Sequence, residues 1–173
     1  MSSIRKISSA TVFLAMACLL SVPRFRAAPQ RQRPDFSAIF NKTEVMIPMR
    51  DGVKLHTEFY TPKNAAAPLP ILMNRTPYGI ANPDKGISNM IYRYADMVPE
   101  GYIFAFQDIR GRYRSEGKFV MLRPLHDPSD SKGVDECTDT YDTIDSLVKN
   151  DPHNNGRVGL DEFPTTAFSS PWE

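Results

Sequence analysis

Three short apolar runs alternate with two helical patterns between residues 70 and 160, and this order constrains the fold more than any other feature. The runs are Pro70–Asn74, Tyr102–Phe106 and Arg157–Leu160. Each has the length of a buried strand, and a helical stretch separates it from the next run. Strands that are joined through crossover helices run parallel, with the helices covering the faces of the sheet. The order therefore predicts an α/β fold.

The two connecting stretches have the apolar spacing of amphipathic helices. In the first, Ser88 is a candidate N-cap, and Pro99 followed by Gly101 ends the helix. Its apolar positions are Ile87, Met90, Ile91, Tyr94, Met97 and Val98. The second helix is predicted over residues 134–150. Its predicted buried face comprises Val134, Cys137, Tyr141, Ile144 and Val148.

A pair of antiparallel strands is predicted ahead of this series, within Glu44–Tyr60. The turn between them is Arg50-Asp51-Gly52, in which the glycine is free to adopt a positive φ. After the turn, apolar and polar residues alternate with a period of two, which predicts a half-buried strand. The alternating sets are Val53, Leu55, Thr57 and Phe59 against Lys54, His56, Glu58 and Tyr60.

Charge and composition exclude several classes of function. The formal net charge of +1 over 173 residues does not favour binding to nucleic acid. Cys18 and Cys137 provide neither a disulfide framework nor a zinc spacing, and Cys137 is predicted to be a core residue. His56, His126 and His153 are scattered without a metal-ligand pattern. We therefore predict no metal, no cofactor and no nucleic-acid partner, and the sequence leaves the oligomeric state open.

The N-terminus has the pattern of a signal peptide. Arg5 and Lys6 precede an apolar run at 11–22, which is too short to span a bilayer. Small residues at Ala27-Ala28 mark the predicted cleavage zone, so the protein is expected to be exported, either secreted or periplasmic. An uncleaved anchor and a lipoprotein modified at Cys18 are the alternatives.

Five motifs, in order, resemble the Xaa-Pro dipeptidyl-peptidase-like α/β-hydrolases, a group that includes cocaine esterases, glutaryl acylases and α-amino-acid ester hydrolases. They are V-M-I-P-M-R-D-G-V-K-L at 45–55, N-R-T-P-Y-G at 74–79, Q-D-I-R-G-R-Y-R-S-E-G at 107–117, D-E-C-T-D-T-Y-D-T-I at 135–144 and N-N-G-R-V-G-L at 154–160. The resemblance implies the N-terminal portion of an α/β-hydrolase fold, with leading antiparallel strands and then a parallel sheet. It also implies hydrolysis of a small acyl ester, amide or peptide by a Ser/Asp/His triad.

The nucleophile of such a triad sits on a G-x-S-x-G turn directly after a strand. No G-x-S-x-G follows Leu160, so the nucleophile, the acid and the base are predicted to be absent from this chain. His126, Asp139 and Asp142 are not assigned to those roles, because His126 precedes the nucleophile position, which is the wrong chain order. A serine hydrolase is the main prediction, and a non-catalytic truncated fragment is the alternative.

The loop that carries Tyr78 is the one candidate site in the chain. The resemblance implies that the Tyr78 hydroxyl is an oxyanion-hole donor, whereas the alternative is a tyrosine that only covers its loop. Asp108, Arg110 and Glu116 are predicted to brace their loop by a charge network rather than to contact substrate. Ser115 has no adjacent base and is interpreted as a turn residue.

The predicted organisation is a signal peptide at 1–28, a linker at 29–42, a partial hydrolase domain at 43–160 and an aberrant tail at 161–173. We hypothesise that one base was lost within a Gly codon just after Asp161: inserting a base there into one permitted, chosen coding yields D-G-I-S-Y-D-G-F-L-V-A-M-G, which contains G-x-S-x-G. A genuine divergent terminus is the alternative. The nucleotide sequence of the gene distinguishes the two.

Overall fold

The computed structural model describes residues 34–81, 86–121, 123–130 and 132–161. The strands are β1 Phe40–Pro48, β2 Lys54–Pro62, β3 Leu69–Thr76, β4 Ile103–Asp108 and β5 Asn154–Leu160. Helix α1 spans Glu136–Asn150, and 3₁₀-helical segments span Phe36–Ala38 and Asn89–Glu100. Within the described ranges, no helix is both long enough and apolar enough to cross a membrane. The predicted signal peptide and residues 162–173 lie outside the described residues, so both stay predictions.

The five strands form one mixed sheet in the order β1-β2-β4-β3-β5. Strand β2 pairs antiparallel with β1 and with β4, whereas β3 pairs parallel with β4 and with β5. The two leading antiparallel strands and the parallel strands that follow confirm the predicted α/β fold. Strand β4 lies between β2 and β3, so the strand order in the sheet differs from the order along the chain.

Alternate residues of the strands supply two hydrophobic cores, one on each face of the sheet. On one face Phe104 and Phe106 pack with Tyr94 of the 3₁₀ segment Asn89–Glu100. On the other face Ile103 and Ala105 pack in the cluster that includes Leu147 of α1. The helical elements therefore cover both faces, as the sequence predicts.

The first helical connection begins after Ser88, as the sequence predicts, but it is a 3₁₀ helix, which is wound more tightly than an α-helix. The Ser88 side chain accepts a hydrogen bond from Met90 N, and Gly101 ends the segment in the left-handed region at φ +78°. Tyr94 departs from helical dihedrals at φ −109°, at the point where its ring packs against Phe104 and Phe106. Aromatic packing on the sheet thus coincides with the kink in this segment.

The prediction that β2 is half-buried is wrong. His56 and Glu58 are 1% and 0% exposed, although they alternate with apolar residues as solvent-facing residues would. Strand β2 lies between two other strands, and both of its faces are covered. Buried charge requires partners, and His56 finds Asp108 while Glu58 finds Lys42.

The predicted buried face of α1 is wrong at Cys137 and Tyr141, although Ile144 of that face does pack against the core. Cys137 is exposed and Tyr141 is 66% exposed, whereas the buried residues of the helix are Thr138, Asp139, Thr143 and Leu147. Asp139 and Thr143 face inward because each has a hydrogen-bonding partner on another element of the fold. Asp139 pairs with Arg110, and the Thr143 hydroxyl bonds to Gln107.

Candidate functional site

The loops that follow β3 and β4 meet at one edge of the sheet. Because these strands are parallel, their carboxyl ends lie side by side, and Thr76 and Asp108 are register partners. Beyond them the two loops are joined directly, since Ile109 N donates to Thr76 O at 3.2 Å. This edge is where ligands bind in open α/β sheets, and it carries Tyr78.

Tyr78 projects from the loop after β3 and is 69% exposed. Its backbone N–H donates to the Thr76 hydroxyl at 3.2 Å, which holds the turn immediately after the strand. The neighbouring Pro77 carbonyl accepts a hydrogen bond from Arg112 Nε at 2.9 Å. Both contacts hold the peptide that joins Pro77 to Tyr78, while the Tyr78 side chain is presented to solvent.

The glycine after Tyr78 is required by geometry. Gly79 has φ +90°, and a Cβ at this position would lie 2.9 Å from the Tyr113 ring. Any larger residue would push the Tyr113 loop away and would strain the backbone as well. The P-Y-G sequence thus couples the conformation of the Tyr78 loop to that of the facing loop.

Asp108 is buried at the base of both loops and makes two different contacts. One oxygen accepts a hydrogen bond from Ile80 N at 3.1 Å, and the other lies 3.1 Å from Nδ1 of His56. Asp108 is 0% exposed, so both contacts are shielded from water. The carboxylate therefore links β2, β4 and the end of the Tyr78 loop.

Arg110 and Glu116 brace the second loop at other points. Arg110 is held between the carboxylates of Asp51 and Asp139, at 2.6 Å from each. The hydrogen bonds that Arg110 donates to Asp139 and to Asp51 raise the pKa of Arg110 against the opposing effect of burial. Glu116 accepts a hydrogen bond from Lys54 N at 3.0 Å. Asp108, Arg110 and Glu116 thus brace this loop against different elements rather than through one charge network, and the predicted lack of substrate contact stays a prediction.

Ser115 is a structural residue, as predicted. Its hydroxyl donates to Asp108 O at 2.6 Å and accepts from His56 N at 2.8 Å. With both hydrogen-bonding directions occupied by backbone groups, the hydroxyl has the environment of a buried turn rather than that of a nucleophile.

Arg75 is a functional neighbour that the sequence analysis missed. Its guanidinium donates to Gln107 Oε1 at 2.8 Å and to the Thr140 hydroxyl at 2.6 Å, and Glu136 lies 3.3 Å away. These contacts tie the end of β3 to the first turn of α1. The N-R-T-P-Y-G motif contained the signal, because Arg75 directly follows Asn74 in the strand and so alternates to the opposite face.

The end of β5 lies beside the same edge. Asp161 N donates to Met73 O at 2.9 Å, and the Asp161 carbonyl accepts a hydrogen bond from the Asn74 side chain. The Tyr94 hydroxyl donates to the Asp161 carboxylate at 2.6 Å, while burial raises the pKa of that phenol. The chain therefore leaves β5 next to Asn74, four residues before Tyr78.

The residues that were not assigned to a triad have structural partners. His126 Nδ1 lies 2.8 Å from Asp135, the N-cap of α1, and Asp142 lies 2.8 Å from Arg50. Asp139 is engaged by Arg110. Within residues 34–161, apart from the gaps already named, these groups are not assembled into a Ser/Asp/His constellation.

One group of potential metal ligands occurs among the described residues: Glu44, His56 and Glu58, whose ligand atoms all lie within 4.8 Å of one another. The spacing along the sequence did not reveal it, because Glu44 faces Glu58 across the β1–β2 pair. The ammonium of Lys42 lies 2.9 Å from both carboxylates. Hydrogen bonds from Lys42 and Arg114 lower the pKa of Glu44 to about 2. The chain's own cations therefore already neutralise this group.

A groove of about 580 Å³ lies elsewhere, between the β1–β2 pair and the C-terminal end of α1. Phe59, Ile47 and Leu147 are among its lining residues, and the Tyr78 loop does not contribute to it. Polar residues also line this groove, among them Lys63, Asn150 and His153, but the loops at the carboxyl edge of the sheet do not.

Comparison with known proteins agrees with this geometry. Residues 51–161 match the family model of X-Pro dipeptidyl-peptidase (S15 family). Over 122 residues the chain is 34% identical to cocaine esterase from Rhodococcus sp. (strain MB1 Bresler), covering 68% of this chain and 18% of the relative.

Two solved structures resemble the fold. An aminopeptidase from a marine sediment Thaumarchaeota archaeon superposes with a TM-score of 0.60 at 39% identity, covering 77% of this chain and 23% of that protein. An α-amino acid ester hydrolase superposes with a TM-score of 0.59 at 44% identity, covering 82% and 24%. The chain thus spans about a quarter of these proteins or less. The chain belongs to the X-Pro dipeptidyl-peptidase (S15) family of α/β-hydrolases.

Proposed function

We propose that this chain forms the oxyanion-side portion of a serine hydrolase that cleaves acyl esters, amides or peptides, with Tyr78 as an oxyanion-hole donor. The observation that carries the proposal is the placement of the Tyr78 phenol. It is exposed at the carboxyl edge of the sheet, on a loop whose backbone is held before Tyr78 by Thr76 and Arg112 and after it by the bond from Ile80 N to Asp108. A donor that is fixed before the reaction stabilises a developing oxyanion at little reorganisation cost.

The end of β5 supports the same assignment. The chain leaves this strand beside Asn74, so a nucleophile on a turn after Asp161 would emerge next to the Tyr78 loop. A phenol and a nucleophile on neighbouring strand ends can approach the same carbonyl from two sides. The nucleophile, the acid and the base are proposed to come from outside the described residues.

The substrate class is proposed from the relatives. Their names describe an ester hydrolase acting on cocaine, a hydrolase of α-amino acid esters and an aminopeptidase. All three reactions pass through a tetrahedral oxyanion if they use acyl transfer, and one donor geometry serves them all. We therefore propose the reaction class and leave the acyl group open.

A chimera tests this proposal. Residues 45–161 replace the matching stretch of the Rhodococcus cocaine esterase, and hydrolysis is measured on a nitrophenyl acyl ester and on an aminoacyl-proline nitroanilide. We expect turnover of at least one substrate, and we expect Tyr78→Phe to lower kcat by about 10²–10³ with little change in KM. The 173-residue chain alone, which lacks G-x-S-x-G, should leave both substrates intact.

The matched control is Tyr141→Phe. Tyr141 is 66% exposed, close to the 69% of Tyr78, but it lies on α1. It should leave kcat unchanged. Equal rates for the chimera and its Tyr78→Phe variant would reject the oxyanion role.

A further inference from the structure

The buried carboxylate of Asp108 controls where the Tyr78 loop ends. Ile80 is 2% exposed, and its backbone N–H donates to Asp108 Oδ1 at 3.1 Å. Thr76 fixes the other end of the loop, because it is the register partner of Asp108 in the parallel β3–β4 pair. Only three residues, 77 to 79, lie between these two anchors. A small rotation of the Asp108 carboxylate would therefore move the backbone that carries Tyr78.

His56 sets the orientation of that carboxylate. Its Nδ1 lies 3.1 Å from Asp108 Oδ2, and the imidazole is 1% exposed. A carboxylate oxygen accepts hydrogen bonds, so we assign the proton of this contact to Nδ1. The other ring nitrogen has no hydrogen-bond partner among the described residues and lies 3.5 Å from Glu44 Oε2. The hydrogen bond that His56 makes is thus directed at Asp108.

The backbones of the pair are also held in place. The Ser115 hydroxyl accepts from His56 N at 2.8 Å and donates to Asp108 O at 2.6 Å. The backbones of His56 and Asp108 are therefore held in place. What can still change is the contact between the imidazole and the carboxylate. The proposed chemistry of Tyr78 uses neither the His56 imidazole nor the Asp108 carboxylate, although both side chains are buried and titratable.

We infer that His56 and Asp108 are positioning residues for the Tyr78 oxyanion loop, acting in series from the imidazole through the carboxylate to the Ile80 N–H. This inference rests on the proposed function of Tyr78. Displacing a catalytic group by about 1 Å can cost about 10²-fold in rate, so a rigid link between the sheet and the loop has a functional value beyond stability.

Two isosteric substitutions separate this role from simple core packing. In His56→Asn the side-chain amide can donate from about the position of Nδ1, so the link to Asp108 is kept. In His56→Gln the longer amide reaches towards the position of Nε2 and Glu44, so that link is lost. Both variants place a neutral amide in the same buried site, and they differ in which partner they reach.

The test uses the full 173-residue chain and two NMR readouts. The first is amide hydrogen exchange at Ile80. The second is the fluorine resonance of Tyr78 in protein labelled with fluorotyrosine, which is assigned by its absence in Tyr78→Phe. His56→Gln should accelerate exchange at Ile80 by about tenfold, the factor expected for the loss of one hydrogen bond, and should shift the Tyr78 resonance. In His56→Asn the exchange rate at Ile80 and the Tyr78 resonance should both stay close to those of the wild type. Amides in β4 should stay protected in each variant.

Asp108→Asn provides a second variant if His56→Gln does not fold. Its side-chain carbonyl can still accept from Ile80, but its amide cannot accept from Nδ1–H, so exchange should rise while the strand amides stay protected. Equal behaviour of His56→Asn and His56→Gln at Ile80, or an unchanged Tyr78 resonance in both, overturns the inference. Because these readouts do not depend on turnover, failure of the link is distinguishable from failure of Tyr78→Phe to lower kcat in the chimera.

Discussion

Arg110 and Asp139 form a buried, bidentate ion pair between the loop after β4 and helix α1. Nε and Nη2 of the arginine donate to the two carboxylate oxygens at 2.8 and 2.6 Å, and the side chains are 4% and 2% exposed. On its other side Arg110 donates to Asp51 in the β1–β2 turn, at 2.6 and 3.1 Å. One guanidinium therefore joins the loop after β4, helix α1 and the β1–β2 turn.

Arg110→Ala should lower the free energy of unfolding by about 3–5 kcal/mol, because it leaves the carboxylate of Asp139 buried without a cation. Urea denaturation followed by circular dichroism measures the change. The double variant Arg110→Met/Asp139→Leu should recover much of the loss, because it removes the uncompensated charge.

The control for this prediction is Lys149→Ala. Lys149 pairs with Asp145 on the exposed side of α1, at 2.8 Å, with side-chain exposures of 69% and 45%. Its removal should leave the urea midpoint almost unchanged, since water already screens such a pair. A similar loss in both single variants would contradict the importance of burial at Arg110.

The Arg110–Asp139 pair also explains why the sequence predicted the existence of α1 but not its orientation. The apolar stripe through Cys137 and Tyr141 has helical spacing, and hydrophobicity alone assigns it to the core. Asp139 and Thr143 face inward instead, because each finds a partner on another element. Periodicity detects apolar side chains, but it does not detect polar ones whose partners lie tens of residues away in the sequence.

Sequence patterns were limited in the same way at the candidate site around Tyr78, where local signals were visible but distant partners were not. The strand ends and the Tyr78 loop were predictable, because short apolar runs and the following Pro and Gly residues are local signals. The contacts of Asp108 with His56 and Ile80 depend on β4 lying between β2 and β3. Alternation of strands and helices leaves that lateral order open, so the sequence identified the loop but not the residues that hold it.

Cys137 should react with N-ethylmaleimide in the folded protein, because the structure exposes its thiol. The Cys18→Ser variant removes the second cysteine of the chain, and the mass shift at Cys137 is followed by mass spectrometry. Complete modification without denaturant is the expected result. Protection until urea is added would support the buried helix face that the sequence predicts.

Gly111→Ala should destabilise the fold far more than Gly156→Ala. Both glycines have positive φ, +70° and +79°, so both substitutions strain the backbone. A Cβ on Gly111 would also lie 2.0 Å from Phe119 N, whereas the position on Gly156 has no atom within 4 Å. We expect a loss of about 1–2 kcal/mol for Gly156→Ala and at least about 3 kcal/mol for Gly111→Ala, measured by urea denaturation. Equal losses would show that the loop at Gly111 opens without cost.

Stability should fall in acid partly through Glu44, whose pKa in the folded chain is about 2 against an ordinary 4.5. The hydrogen bond from Lys42 lowers this pKa the most, and the hydrogen bond from Arg114 follows. A folded-state pKa below the unfolded one means that the unfolded chain binds more protons in this window, so stability rises with pH. The contribution is fully present above pH 4.5 and is lost as the pH falls towards 2.

Glu44→Gln provides the measurement for this prediction. Its urea midpoint should lie below that of the wild type at neutral pH, and the two midpoints should converge between about pH 4.5 and pH 2 as the wild-type carboxylate takes up its proton. Added salt should narrow the gap at neutral pH, because the side chain of Glu44 is 36% exposed and its ion pairs are open to screening. A gap that stays constant down to pH 2 would mean that Glu44 stabilises the β1–β2 pair through packing rather than through its charge.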